Sequence, residues 1–432
     1  MYKIFSVDDH VVEHPLVWTS RLPQKYFDVA PHVVNDGTQE FWQYEDQQIF
    51  VRKLSNTGGR PREEWGAGTG QFTDMIPGAF DPEERAKNLI SQGVLASVAF
   101  PSFPRFGGML FTHFKDKELA SLCVQAWNDF ILDEWCPAGP PGMFVPMIIC
   151  QVWDPGLAAK EITRCLAKGA KALCFVENPV PDGLPSFHTD HWDPIWSVCE
   201  EARLPVCMHV GSSGFYPGDP ASSVGTLISG GNVSGILAAI NMLTSPVCFR
   251  FPEIKLVWSE AGIGWIPSVL ERADRTLDRH SWENPRDLKP SEIFRRNMYA
   301  CMIEEPIGLS MWELIGADRI LAETDFPHPD TTFPDVQGAF KEVFHGVPQD
   351  VVKMVSHTNA EKLFDWEMAD EALIQPTGPW VPPVTIAPPG IRHIDGTDLP
   401  GCGVLVKAGN GLVRCAQPVG TDGVCAQGHA VG

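Results

Sequence analysis

The chain has 432 residues, 44% hydrophobic and 20% charged, which fits a globular protein with room for one large domain and additions. A formal net charge of −21 argues against nucleic acid and anionic membrane surfaces as partners. No basic-then-apolar leader opens the sequence, and no apolar run approaches the ~18 residues of a membrane span, so a cytoplasmic protein without a membrane partner is expected.

The first apolar stretch, 3–8, closes on Asp8-Asp9-His10, with Glu13 just beyond. On a strand, Asp8 and His10 share a face, and a carboxylate beside an imidazole suits a divalent metal. Residues 14–80 then separate this strand from its helix, far more than an ordinary connection, and a lid or substrate-binding role is expected. The helix at 82–93 has Asp81 as N-cap, Pro82 in the first turn and Glu84 completing a capping pattern. Further strands are expected at 95–100, 144–150, 170–176, 205–209, 254–259, 297–302 and 319–324. Helices are expected near 115–134, 155–168, 191–202, 230–245, 265–281 and 306–315.

Near-continuous apolar strands alternating with helices describe a parallel sheet covered on both faces, and eight such units describe an α/β fold closed as a (β/α)8 TIM barrel. The barrel is assigned to 1–369, with the insertion at 14–80. Residues 370–432 are rich in Pro and Gly and read as an extended tail that wraps the barrel or a neighbouring subunit, with a small hairpin around Asn410-Gly411. The twelve cysteines never form a CxxC pair; Cys150, Cys174, Cys207, Cys248 and Cys301 sit in apolar segments and read as reduced core residues. Cys402, Cys415, Cys425 and His429 in the tail lack the paired spacing of a zinc site.

In such a barrel the active site lies at the C-terminal ends of the strands. Those ends carry Asp8 and His10, then Glu177, His209, Glu260, and Asp325 with His328 following. Each follows an apolar run that should be buried, and buried charges need partners or a metal. Glu13 is a further ligand or a partner for His10. In SFHTDHWDPIW (186–196), His188 and His191 could complete a coordination sphere or act on substrate. The loop FPSFPRFGG (101–109) brings Arg105 and Phe106, and GSSGFYPG (211–218) brings Ser212 and Ser213, to a largely apolar mouth for a bulky hydrophobic substrate. Arg52, Lys53, Arg60 and Arg62 are further candidate anion contacts. No GxGxxG, P-loop or G-x-S-x-G element occurs at a strand end, which disfavours a dehydrogenase or kinase.

D-x-H at 8–10, His209, GIGWIPSVLERAD (262–274), TDFPHP (324–329) and NAEKLFDW (359–366) together resemble the amidohydrolase-2 branch of the amidohydrolase superfamily. That resemblance implies a divalent metal held by Asp8 or His10 with His209 and Asp325. It also implies hydrolysis or non-oxidative decarboxylation of aromatic acids, usually with zinc or manganese. The sequence departs from the family pattern at Val12, where a second first-strand histidine is common, and at Glu260, where histidine is common.

With Glu177 included, the inventory is four carboxylates and two histidines: Asp8, Glu177, Glu260 and Asp325 with His10 and His209. That composition matches dinuclear carboxylate iron sites, whose four anionic ligands offset two Fe(II) ions. SVDDHVVE (6–13), FPSFPRFGG and SEAGIGW are similar to a subset of such barrels that work as non-heme diiron monooxygenases. The expectation is therefore a diiron hydroxylase acting with dioxygen on a bulky hydrophobic, terpenoid or CoA-linked substrate. Asp325, Glu260 and His328 would be catalytic, an external reductase would supply electrons, and the chain would form a homo-oligomer. The alternative is a mononuclear zinc or manganese hydrolase or decarboxylase using Asp8, His10, His209 and Asp325.

Overall fold

The computed structural model describes residues 1–212, 222–280, 288–374 and 380–394, together with the paired strands Leu405–Ala408 and Gly411–Arg414. Ser213 and the tail residues Cys402, Cys415, Cys425 and His429 lie outside the described residues.

Eight parallel strands form a TIM barrel: β1 (Ile4–Val11), β2 (Val94–Pro101), β3 (Phe144–Val145 and Met147–Ile148), β4 (Ala172–Phe175), β5 (Val206–His209), β6 (Leu256–Ser259), β7 (Met298–Met302) and β8 (Ile320–Ala322). Pro146 lacks an N–H and splits β3, whose first half pairs with β2 and whose second half pairs with β4. The barrel closes where the chain leaving β8 meets β1: the Asp325 N–H donates to the Asp8 carbonyl at 2.8 Å, and the His10 N–H donates to the Phe326 carbonyl at 2.7 Å. Closure therefore sets Asp8, His10 and Asp325 side by side.

The barrel strands are almost entirely buried, as strands covered by helices on one side and filled by side chains on the other must be. The covering helices begin with carboxylate caps. Asp81, Asp116 and Asp154 each accept two N–H bonds from the first turns of α1 (Pro82–Ser91), α2 (Lys117–Phe130) and α3 (Pro155–Leu166). Cys150, Cys174, Cys207, Cys248 and Cys301 are free thiols buried in the core.

One stretch corrects the expectation of no span-length apolar segment. Val224–Thr244 is 21 residues long, with a window of mean hydropathy 1.3. Here it is broken at Gly230-Gly231 into Val224–Ser229 and α4 (Asn232–Thr244), and α4 buries Gly235, Ala238, Ala239, Met242 and Leu243.

The insertion after β1 is ordered. Strands His32–Asn35, Glu40–Tyr44 and Gln47–Phe50 form an antiparallel sheet, joined in parallel by Arg392–His393 from the tail. The tail also lies across the insertion through Trp380 Nε1 on the Gly59 carbonyl at 2.9 Å and Thr385 Oγ1 on the Met75 carbonyl. The insertion meets the end of β8 where the Gly58 N–H donates to the Pro327 carbonyl at 2.8 Å. Only glycine fits there, since a Cβ on residue 58 would sit 2.6 Å from the His328 carbonyl oxygen. In the tail hairpin Gly411 pairs with Ala408 and begins the second strand, while Asn410 lies outside the described residues.

Candidate metal centre

At the C-terminal ends of the strands, Asp8, His10, His209 and Glu260 bring one ligand atom each within 4.8 Å of one another, and so do His10, Glu260, Asp325 and His328. His10 Nε2 lies 3.5 Å from Asp8 Oδ1 and 3.2 Å from Asp325 Oδ1. His209 Nε2 lies 3.3 Å from Asp8 Oδ2 and 3.6 Å from Glu260 Oε2. His328 Nδ1 lies 2.8 Å from Asp325 Oδ1 and 3.8 Å from Glu260 Oε1. Two of the carboxylates are aimed inward by unusual backbone: Glu260 and Asp325 both have φ of 54°, a region that costs a non-glycine residue about 1–3 kcal/mol.

Several atoms in this cluster are buried with no hydrogen-bond partner among the described residues: both Asp8 carboxylate oxygens, Asp325 Oδ2, His10 Nε2 and His209 Nε2. Leaving that many acceptors bare in the interior is costly unless a cation binds them. The histidines are prepared for one. The His209 Nδ1 side faces the Val210 carbonyl at 2.7 Å, which places the proton on Nδ1 and turns the Nε2 lone pair to the cluster. Burial drops the His209 imidazole to about 3 and holds His10 well below the ordinary histidine range, so both are neutral.

The carboxylates respond in the opposite sense. Burial pushes Asp8 well up, helped by the nearby charges of Glu323, Glu260 and Asp325. Burial alone would depress His328, but Asp325 and Glu260 overcome it and raise this imidazole to about 10. A divalent cation entering this set would displace protons and relieve the mutual repulsion of the carboxylates. Oxygen-rich ligands with two or three imidazoles suit a hard to borderline ion such as manganese, iron or zinc.

The cluster opens into a cavity of about 630 Å³, within the range of small-molecule sites. Phe106, Leu54, Ile228 and Ile303 provide apolar lining, with Phe106 stacked on His209 at 3.9 Å between ring centroids. Arg52, Leu54, Ser55 and Ala67 come from the insertion, which thus forms one wall.

Other expected site residues are placed elsewhere. Glu177 is buried at the end of β4 but is not one of the converging ligands; its Oε1 accepts from the Gly211 N–H at 3.1 Å. Glu13 is committed to the loop after β2, accepting from Ser102 N–H, Phe103 N–H and the Trp127 indole at 3.1, 2.8 and 3.0 Å, so it neither ligates nor supports His10. Burial raises Glu13 to about 7 against those bonds. His188 is exposed and pairs with Asn241 at 2.9 Å, and the His191 ring packs edge-on to Trp192. Arg105 is exposed and does not line the cavity, and the Ser212 hydroxyl oxygen accepts the Glu177 N–H at 2.8 Å and is likewise not part of the cavity lining. Of the basic residues in the insertion, Arg52 reaches the cavity, whereas Arg60 pairs with Glu64 and Arg62 lies over Trp65.

Three acidic residues escaped the strand-end reading: Glu305, Glu323 and Asp330 also line the cavity. Glu323 carried a signal, since it stands two residues before Asp325 and shares its face on an extended chain. It is buried, held well above the usual carboxylate range by burial and Glu260, and accepts the Glu260 N–H at 3.3 Å.

The amidohydrolase family model, in its second branch, matches residues 27–366. The chain belongs to the amidohydrolase family. It is an enzyme of the metal-dependent amidohydrolase superfamily. No curated protein matches by sequence. Among solved structures, an amidohydrolase from Mycobacterium avium subsp. paratuberculosis K-10 is similar with TM-score 0.64 and 21% identity, over 84% of this chain and 99% of that one. A 2,6-dihydroxybenzoate decarboxylase from Rhizobium is similar with TM-score 0.53 and 16% identity, over 84% and 99%. A 5-carboxyvanillate decarboxylase from Novosphingobium aromaticivorans DSM 12444, in complex with manganese and 4-hydroxy-3-methoxy-5-nitrobenzoic acid, has TM-score 0.51 and 17% identity, over 66% and 81%. At these identities the likeness is one of fold.

Proposed function

We propose that this amidohydrolase uses one divalent ion, manganese or zinc, for non-oxidative decarboxylation of an aromatic carboxylic acid, with hydrolysis as the neighbouring chemistry. The observation that carries the reading is the set of buried ligand atoms on Asp8, His10 and His209 that lack protein hydrogen bonds among the described residues and converge with Glu260, beside Asp325. The decarboxylases among its structural neighbours, two of them solved with manganese, support the same class.

A bound ion would polarise the substrate's carboxylate or adjacent oxygen and hold it in place. The chain's residues would do the rest. Phe106 and the apolar wall would take the ring and exclude water. His328 lines the cavity with Nδ1 held 2.8 Å from Asp325 Oδ1, and as an imidazolium it would offer the proton on its other ring nitrogen to a ring carbon. The ring carbon gains that proton, the bond to the carboxylate carbon breaks, and its electron pair returns to the ring as carbon dioxide leaves.

One observation favours a second reading. The two four-residue groups share His10 and Glu260, and the Glu260 carboxylate, with one oxygen toward each group, could bridge two adjacent ions as a diiron oxygenase needs. Glu177, directed to Gly211, weakens the six-ligand version of that site.

Metal analysis of protein purified without added metal, paired with carbon dioxide release from hydroxybenzoates under anaerobic conditions, tests both. About one manganese or zinc per chain with anaerobic turnover is expected. Two irons per chain, with product formed only when dioxygen is consumed, would overturn the decarboxylase reading in favour of the oxygenase.

A further inference from the structure

We infer that Glu305, in the loop after β7, is a positioning residue that holds Glu260 in metal-ligating geometry. The inference rests on the metal-binding reading of the cluster but not on which reaction it serves.

Glu260 follows β6 with φ of 54°, and the chain turns again at Gly262, with φ of 69°. An acidic side chain in the left-handed region does not stay there by its own preference, so surrounding contacts must fix the turn. Local support comes from the Trp265 indole, which donates to the Ala261 and Gly262 carbonyls at 2.9 and 2.8 Å. These bonds leave the amides of the turn to be satisfied from outside. Glu305 does so: its Oε2 accepts the Ile263 N–H at 2.9 Å, and the carboxylate also draws on the Gly264 N–H.

The fit is close on both sides of the contact. A Cβ on residue 262 would lie 2.7 Å from Glu305 Oε1, and one on Gly308 would lie 2.7 Å from Ile263 Cγ1. The carboxylate thus fills the space that Gly262 leaves, Ile263 fills the space beside Gly308, and the carboxylate is itself partly buried on the cavity wall. Its interaction with the cluster runs through the backbone of the turn. Glu260 presents Oε2 at 3.6 Å from His209 Nε2 and Oε1 at 3.8 Å from His328 Nδ1, so it stands between the two groups of ligands. Release of the turn would let Glu260 relax out of that position while Asp8, His10, His209 and Asp325, fixed by β1, β5 and the β8 closure, stay in place.

A double-mutant cycle on metal-free full-length protein tests this, with manganese binding read by isothermal titration calorimetry and thermal melting recorded in parallel. Glu305→Ala should weaken manganese binding about 10- to 100-fold, the range for residues that support a ligand. Glu260→Ala should weaken it at least as much, and the double variant should be no weaker than Glu260→Ala alone. Glu305→Gln keeps one amide acceptor and should recover part of the affinity. Unchanged binding in Glu305→Ala, or losses that add in the double variant, would overturn the role of Glu305 and leave the metal site standing. No manganese, zinc or iron binding by the wild-type chain would overturn both.

Discussion

Asp8 and Asp9 are adjacent, both carboxylates are wholly buried, and their surroundings are opposite. Asp8 faces His10, His209 and the other acids with both oxygens bare. Asp9, on the other face of β1, accepts from the Ser97 hydroxyl, from Thr324 Oγ1 at 2.6 Å and from the Phe326 N–H at 3.0 Å. The neighbouring Arg85 guanidinium, also buried, draws on its charge and donates to the His10 carbonyl at 2.5 Å. Burial still lifts Asp9 to about 6, but its partners pull against that rise, whereas the neighbours of Asp8 add to it. Burial of a charge therefore does not by itself mark a functional site; what marks one is burial without protein partners.

The largest expected effect separates the two residues by activity. Asp8→Asn should lower turnover by roughly 10³-fold, because several kcal/mol of metal-derived stabilisation depends on a full ligand set. In the metal-free protein the same change replaces a buried carboxyl group that lacks hydrogen bonds among the described residues and sits among other acids, so the melting temperature should hold or rise. Turnover measured beside calorimetric melting checks this. A melting temperature that falls sharply in Asp8→Asn would erase the contrast between the two faces of β1.

Asp9 should show the reverse pattern in stability. Asp9→Ala strands Arg85 and leaves Ser97, Thr324 and the Phe326 N–H without their acceptor, a loss of about 3–5 kcal/mol by the usual cost of breaking a buried charged network. Urea unfolding of the metal-free variant measures it. Asp9→Asn keeps one acceptor oxygen and should lose less, about 1–3 kcal/mol. If Asp9→Ala unfolds at the wild-type urea midpoint, the Asp9 network is incidental.

The sequence makes this contrast only half legible. The barrel is readable because its strands are buried on both faces and appear as unbroken apolar runs, and the barrel rule then points to Asp8, His10, His209, Glu260, Asp325 and His328. What the rule cannot supply is the direction of each side chain once the strand ends. Glu177 ends β4 as Glu260 ends β6, yet one turns to a backbone N–H in the next loop and the other turns inward through a positive φ. Glu13 and Arg105 depend on how the loop after β2 folds, and that is fixed by contacts from residues distant in sequence such as Trp127. Glu323 was within reach of strand alternation and was hidden only because β8 is short. The sheet at 32–50 is stabilised by pairing with Arg392–His393, more than three hundred residues away, which no local pattern announces.

The smallest expected effect carries the same contrast to the histidines. His209 has a bare Nε2 at the cluster, whereas His14 and His32, in the insertion, have local partners. His14 Nδ1 accepts the Leu16 N–H at 3.2 Å, a bond that requires that nitrogen to be unprotonated. His32 Nδ1 meets the Ala30 carbonyl at 2.7 Å. Burial lowers both imidazoles from 6.5 to about 4, so the folded state prefers them neutral. Their contribution to stability is therefore complete above pH 6.5 and is lost as the pH falls through 4. Each shift corresponds to at most about 3 kcal/mol. His14→Asn keeps an acceptor near Leu16 and removes the titration. Between pH 7 and pH 4 the metal-free variant should lose up to about 3 kcal/mol less stability than the wild type. Chemical denaturation across that interval, done without metal so that ligand protonation at the cluster has no ion to release, reads the difference. Parallel curves for the two proteins would mean that His14 is no more constrained than a surface histidine, and that the division between bare and satisfied buried groups does not extend to the insertion.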